Sequence, residues 1–389
     1  MSFISFLVAI FILGVIIFIH EFGHFVSAKF FGVPVYEFSI GMGKRLFSFI
    51  KNNTRYSLKV FPFGGSCAMV GEDIAGSGDF TDNIGKVNYD NNTVDYDGVV
   101  FNIDDIKKNN FQVISPIKKI IICISGPFFN FLLAVICSLI IVLLTGVNLA
   151  KVNNLPDVSP AKNATPYSLM SGDIINSIEI PNNKEKIIFS SDLQIYLFLH
   201  SKEIIDNNFD LNIGILRNNE QLYTKLIPMV EDNSVKLGIY LSENYYPKNI
   251  IELFYYSFNM SFSYVKTTFQ SLIYLIKGKF SLYEISGPVG TVAVMGNSIS
   301  SVQTIYNKFI VILMMINLIS TNLAVMNLLP IPALDGGRLI EAFIELLIGK
   351  PLNPKIINTI NIVTMALLLG LMVLIFGVDI YKIFNGVFK

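Results

Sequence analysis

The sequence has no tryptophan, three histidines, three cysteines and little charge. Cys67, Cys123 and Cys137 are odd in number and lack metal-type spacing, which argues against a disulfide framework and against a cysteine-bound metal. Charged residues fill 15% of the 389 positions, where a typical soluble protein has about 25%. The 29 basic and 29 acidic side chains cancel, so charge makes no case for nucleic acid as a partner. The missing tryptophan, beside abundant Asn, Ile, Lys and Phe, carries no functional reading. What the chain has in quantity is apolar surface. Hydrophobic residues make up 52% of it, and its mean hydropathy is positive.

A bilayer core is about 30 Å thick, and a helix crosses it with roughly 20 apolar residues. Four uncharged stretches fit that length or nearly so: residues 2–19, with the apolar pattern continuing past His20 to 31, then 120–150, 309–334 and 356–378. Backbone amides in lipid bond within their own segment, so all four are predicted to be helices. The first lacks the basic leader and small-x-small site of a cleaved signal peptide and is read as retained. Basic residues gather between the first two spans, from Lys29, Lys44 and Arg45 to Lys118 and Lys119, and again at Arg338, Lys350 and Lys355. By the positive-inside rule these loops face the cytoplasm, while the N-terminus, residues 151–308 and the C-terminus face outward.

Residues 36–70 alternate, as in Tyr56-Ser57-Leu58-Lys59-Val60-Phe61, and Gly64-Gly65 punctuates them, which reads as β structure. Residues 73–110 are rich in Asn, Asp and Gly with little periodicity and read as a solvated or partly disordered insert. Short alternating runs at 211–216 and 235–239 mark residues 152–243 as a soluble domain. Residues 250–276, apolar but interrupted by Glu252 and Lys266, read as an amphipathic helix lying on the membrane.

The chemistry concentrates in His20-Glu21-Phe22-Gly23-His24, an H-E-x-x-H pattern. Residues four apart on a helix share a face, so both imidazoles can reach one metal, and Glu21 can take a proton from metal-bound water. One intramembrane histidine is often just a hydrogen-bonding partner for a neighbouring helix. Two histidines and a carboxylate in one apolar turn are too costly for that role. His200, in the soluble domain, reads as a surface or packing residue. Catalytic zinc takes three protein ligands and keeps one open position. Asp335 is the carboxylate next to the third apolar run. Pro330 and Pro332 ahead of it break the helix, and Gly336-Gly337 behind it let the chain turn. The alternative for Asp335 is an ordinary turn aspartate. The second span holds Ser125-Gly126-Pro127-Phe128-Phe129-Asn130, whose Gly-Pro is expected to break the helix and allow close approach. Asn130 and Asn327 are amides in lipid. Either stabilises an oxyanion or holds substrate backbone, or makes an interhelical hydrogen bond.

Together these pieces resemble the site-2 protease family, most closely its regulator-of-sigma-E protease branch. The resemblance is carried by the H-E-x-x-H turn, Gly41-Met42-Gly43, Phe63-Gly64-Gly65, Ser125 to Asn130, Ser286-Gly287-Pro288-Val289-Gly290, and Asn327 to Gly337, in the family's order over nearly the whole chain. It implies zinc as cofactor, His20, His24 and Asp335 as its ligands, and Glu21 as general base. It also implies that Asn327, Pro330 and Pro332 form an active-site strand and that Asn130 is the second-span asparagine of the family. Gly64 and Gly65 would lie in a membrane-associated β-hairpin that presents an edge to substrate. Pro160-Ala161-Lys162-Asn163-Ala164 and Gly172-Asp173-Ile174-Ile175 fall where PDZ domains carry similar sequences.

The expected fold is thus a multi-pass α-helical membrane protein of about four transmembrane helices, with a β-hairpin and one inserted PDZ-like α/β domain. The boundaries are 1–35 for the first helix with its metal motif, 36–116 for the cytoplasmic hairpin loop and insert, and 117–149 for the second helix. The PDZ-like extracytoplasmic domain is 150–245, the amphipathic membrane-surface region 246–305, and the third transmembrane segment 306–337. A cytoplasmic loop and the fourth helix fill 338–389. The expected function is an intramembrane zinc metalloendopeptidase of the bacterial inner membrane. Its substrates would be membrane-spanning peptides such as anti-sigma factors or remnant signal peptides. A non-catalytic scaffold that binds partner tails through the PDZ-like domain is the rival, against which the intact ligand set and base argue. A metal transporter would need more intramembrane carboxylates and histidines than this chain has.

Overall fold

The structure is a computed structural model that describes residues 3–72, 85–88, 91–181, 183–231, 234–242, 244–278 and 287–385. Ser286 and residues 73–84 and 89–90 of the expected insert lie outside the described residues. Among the described residues, four helices are long and apolar enough to cross a membrane: α1 (Phe3–Phe30), α3 (Pro116–Thr145), α7 (Ile305–Asn327) and α9 (Pro354–Phe384). They correspond to the four apolar stretches. Only 6% of the most apolar window of α9 is covered by protein, against 39% for α7, so α9 is the peripheral helix.

The chain divides into two compact units, one of Met1–Cys137 with Thr268–Lys389 and one of Ser138–Thr267. In the first, α1 is the hub. Its Ala9, Ile12 and Ile16 pack with Val292, Met295 and Ile299 of α6 (Pro288–Ser301) and with half-buried residues of α7. Residues 288–301 were grouped with the membrane-surface stretch in sequence, but their apolar side belongs to the helical core. The start of α6 is held by Asp379 of α9, fully buried, whose carboxylate accepts the N–H groups of Gly287 (3.0 Å) and Gly290 (2.8 Å).

After α1 come β1 (Val35–Lys51) and β2 (Thr54–Met69), paired antiparallel overall and turning at Asn52-Asn53. Both are long and bent, so each pairs more than once. Residues 37–40 face 65–68 on one side (Phe38↔Cys67, Ile40↔Gly65) and 55–58 on the other (Phe38↔Tyr56, Ile40↔Leu58), while 47–51 face 54–58. Residues 65–68 are thereby left at the sheet margin. Glu37, 1% exposed, is neutralised inside this sheet by Arg45 (2.8 and 3.0 Å), Lys59 (3.5 Å) and the Ser57 hydroxyl.

A first correction concerns the described part of the insert, which is folded where the sequence read as solvated or partly disordered. Residues 85–88 and 91–109 form β3 (Lys86–Asn88), β4 (Thr93–Tyr96), β5 (Val99–Asn102) and α2 (Ile103–Asn109), with the strands in antiparallel order β3-β4-β5. The strands are short, which hid their periodicity. The Asp97-Gly98 turn between β4 and β5, both residues at positive φ, is a hairpin signal. Val99 and Phe101 are buried against Val70 and Tyr36, and Asp97 pairs with Arg45 and Arg55. The second correction concerns α3, which runs unbroken through Pro127. A proline inside a membrane helix forfeits one backbone bond, and neighbouring groups can absorb that loss.

The second unit holds a four-stranded antiparallel sheet in the order β9-β8-β6-β7, made of β6 (Ile174–Ile180), β7 (Asn183–Lys186), β8 (Leu211–Arg217) and β9 (Glu220–Leu226). Helix α4 (Ser190–Asn207) contributes Leu193, Tyr196 and Ile204 to the core with Ile175, Ile178, Ile213 and Ile215. His200 is 2% exposed and bonds the Tyr196 carbonyl and Asn183, both at 3.0 Å, so it is a packing residue. Residues 250–276 form one helix, α5 (Ile250–Ile276).

Candidate metal centre

His20 and His24 lie one turn apart near the end of α1, each 7% exposed. Asp335 arrives from the far end of the chain. Helix α7 stops at Asn327, Pro330 and Pro332 carry the chain onward, and Asp335 opens a further helix, α8 (Asp335–Ile348). That helix occupies part of what the sequence reading left as loop. The glycines after Asp335 permit a tight fold-back: a Cβ on Gly336 would lie 2.1 Å from the Leu329 carbonyl. Ala333 holds φ +70, which costs a non-glycine residue about 1–2 kcal/mol.

Three donor atoms converge. His20 Nε2 and His24 Nε2 are 3.3 Å apart, and Asp335 Oδ2 is 3.1 Å from the first and 3.3 Å from the second. Among the described residues this is the one cluster of three such groups with metal-holding geometry. Donors about 2.0–2.2 Å from a tetrahedral zinc lie roughly 3.3–3.6 Å from one another, so the triangle fits one face of such a site. The donor chemistry agrees. His24 Nδ1 sits 2.8 Å from the Ile122 carbonyl, so it carries the proton and leaves Nε2 bare. Asp335 Oδ2 is buried and within ion-pair distance of both rings, yet makes no hydrogen bond. Three atoms able to act as ligands converge on a common point, and a shared cation would satisfy all three.

Asn130, fully buried on α3, lies 3.4 Å from His20 Nδ1 through its Nδ2, and its Oδ1 has no partner. The two ends of an amide have the same shape. Rotated, Asn130 satisfies Oδ1 by accepting the His20 Nδ1 proton and leaves His20 Nε2 bare as well. Ser320 of α7 fixes Asn130 by donating to its carbonyl (2.8 Å). Asn327 is half-buried with Nδ2 3.1 Å from His20 Nε2. Glu21 is half-buried, one residue on from His20. Gly65 is pressed against it, for a Cβ there would lie 2.9 Å from Glu21 Cγ. Gly64 stands at φ +86 beside Met42.

Several contributors escaped the sequence reading. Gly126 faces the rings so closely that a Cβ would lie 2.2 Å from His24 Nε2. Its Gly-Pro was expected to break the helix and allow close approach; the approach is present, but its target, the imidazole pair, was not foreseen. Arg338, in the first turn of α8, pairs with Glu72 just beyond β2, whose side chain is 2% exposed and also accepts the Met69 N–H (3.0 Å). Burial opposes the Arg338 charge, but Glu72, Cys123 and Asp335 outweigh it and hold its pKa above the ordinary arginine value. The pair ties the Asp335 helix to the end of the strand that bears Gly65. Nothing in the sequence links residues 72 and 338.

Residues 8–371 match the model of Peptidase family M50. The chain belongs to Peptidase family M50. Relatives agree in length as well as sequence. A Clostridium acetobutylicum protein, provisionally named a zinc metalloprotease, is 31% identical over 384 residues, covering 96% of this chain and 97% of the relative. A Fusobacterium nucleatum protein with the same kind of name is 30% identical, covering 98% and 100%. The regulator of sigma-W protease RasP of Bacillus subtilis is 28% identical, covering 96% and 98%. This M50 protein is a zinc-dependent metalloprotease of the site-2 type and a multi-pass helical membrane protein.

Proposed function

We propose that this M50 protein hydrolyses single-pass membrane substrates within the bilayer, with His20, His24 and Asp335 as zinc ligands and Glu21 as general base. The observation that carries this reading is the donor triangle of 3.1, 3.3 and 3.3 Å, assembled from opposite ends of the chain. Zinc held there would supply Lewis acidity toward a carbonyl and toward water. Glu21 accepts the proton released during attack and passes it to the leaving amine. Asn130 and the Ile122 carbonyl orient the two imidazoles through their Nδ1 atoms. Asn327 offers its amide N–H groups to the oxyanion that develops on the substrate.

A substrate helix hides its carbonyls in its own hydrogen bonds, so it has to open first. The sheet margin at Gly65, half-buried where Ser66 to Ala68 are covered, suits strand addition to the opened backbone. Gly64 and Gly65 keep that margin free of side chains where it meets Glu21. Exposed Phe47, Phe49 and Phe61 support the reading of β1 and β2 as a membrane-associated hairpin. Pro330 and Pro332 end α7 and direct the chain into the Asp335 turn. Residues 150–245 are read as a PDZ-like domain, the host membrane as the bacterial inner membrane, and the substrates as anti-sigma-type regulators or remnant signal peptides.

Two measurements test the proposal. Zinc content of purified protein should fall in His20→Ala and Asp335→Ala and stay stoichiometric in Glu21→Gln. Membrane proteomics should find single-pass fragments that accumulate only in Glu21→Gln. Zinc retained in both ligand variants would sink the coordination scheme, and wild-type cleavage by Glu21→Gln would remove Glu21 from the mechanism.

A further inference from the structure

We infer that Asn361, on the peripheral helix α9, is a positioning residue for Asp335, because it holds Ala333 in the left-handed conformation from which the chain enters α8. The inference rests on the reading of Asp335 as a zinc ligand.

Ala333 is an exception. Eight non-glycine residues among those described have positive φ, and seven of them are Asn or Asp. Those two residue types tolerate the left-handed region because their short polar side chains bond locally. Alanine has no such means, so its conformation has to be imposed from outside. The Ala333 N–H donates to Asn361 Oδ1 at 3.1 Å.

Asn361 is one of three buried polar residues described on α9, with Asp379 and Lys382. It is 2% exposed on the membrane helix that protein covers least. An amide in such a helix is costly unless both its ends are used. Both are: Oδ1 accepts from Ala333, and Nδ2 lies 3.4 Å from Glu341 Oε1. The partners fix the amide's orientation, since a backbone N–H only donates and a carboxylate only accepts. Glu341 belongs to α8, the helix that Asp335 begins. One side chain therefore grips the residue two before the proposed ligand and the helix that follows it. A return of Ala333 to right-handed backbone would swing Asp335 Oδ2 out of its 3.1 and 3.3 Å approach to the imidazoles, where a metal ligand tolerates displacement of only about 0.5 Å.

The test uses the full chain in detergent, with zinc affinity read by competition against a chromophoric chelator and folding read by the unfolding midpoint. Asn361→Leu is expected to weaken zinc binding about 10- to 100-fold. Glycine enters the left-handed region freely, so in the Ala333→Gly background the same substitution should cost about threefold or less. A general packing role for Asn361 would give equal losses in both backgrounds, and that result overturns the inference. So does a zinc affinity within about twofold of wild type in folded Asn361→Leu. If Asn361→Leu does not fold, Asn361→Ala is measured instead and read the same way. Asp335→Ala separates the two levels. Zinc retained there rejects the ligand assignment, whereas zinc lost there but kept in Asn361→Leu rejects only the role of Asn361.

Discussion

Adding one methyl group at Gly126 should empty the metal site. Its Cβ would lie 2.2 Å from His24 Nε2, 2.6 Å from His24 Cε1 and 2.9 Å from His20 Cε1. Ordinary non-bonded contact begins near 3.5 Å, so the rings or the helices have to give by about 1 Å. The His24 ring is tied to the Ile122 carbonyl at 2.8 Å and cannot swing without breaking that bond. Helices α1 and α3 are also in close contact one residue back on each, where a Cβ on Gly23 would lie 2.4 Å from the Ser125 carbonyl. Overpacking of this kind costs about 1–3 kcal/mol. If 2–3 kcal/mol of it falls on the metal-bound geometry, zinc affinity drops by roughly 30- to 150-fold. Gly126→Ala should therefore purify with little zinc after dialysis against a weak chelator. Gly23→Ala, which strains the same helix pair away from the ring nitrogens, should lose stability and retain more zinc. Equal zinc affinity in Gly126→Ala and wild type would refute the steric reasoning.

Other outcomes follow from individual contacts. Removing one member of the Arg338–Glu72 pair, as in Arg338→Met or Glu72→Met, should cost about 3–5 kcal/mol, because the remaining charge stays buried. The double variant should cost clearly less than the sum, and strictly additive unfolding midpoints would show that the two do not act as a pair. In the second unit, the Tyr245 hydroxyl donates to Glu252 (2.8 Å), which with partial burial pushes the phenol up to about 12. Glu252 is drawn below the usual carboxylate range by the Lys248 N–H (2.9 Å) and by Tyr245. A raised phenol stabilises the fold below the unfolded pKa near 10 and loses that contribution as pH climbs through about 12. A depressed carboxylate acts in reverse, losing its contribution as pH falls through its folded pKa. Glu252→Gln should return the Tyr245 absorbance titration toward about 10, and an unmoved titration would dissociate the two groups.

Much of this molecule is legible in sequence because lipid imposes simple rules. Uncharged runs of sufficient length had to be helices, and the four spans emerged from that alone. His20 and His24 were legible because helical spacing joins them, and Asp335 because few carboxylates border an apolar run. The illegible parts have local or long-range causes. Strands β3 to β5 were too short for alternation to rise above an Asn- and Asp-rich background, although Asp97-Gly98 marked their turn. Pro127 suggested a break that α3 does not have, since the rule for water-exposed helices weakens in a membrane. Gly126 was legible as a close approach but not as one onto the imidazoles, and the contributions of Glu72 with Arg338 and of Asn361 are distances between remote residues, which no spacing encodes.

The carboxylate of Asp379 has a consequence for assembly. A peripheral span with a buried acid is a poor candidate to rest alone in hydrocarbon. The partners that satisfy Asp379 are the first amides of α6, and those positive helix ends complement its negative charge. Secure insertion of the C-terminal span is thus conditional on the short helix being present to receive it. The two should mature together, and a chain with a misplaced α6 should expose its last span to membrane quality control.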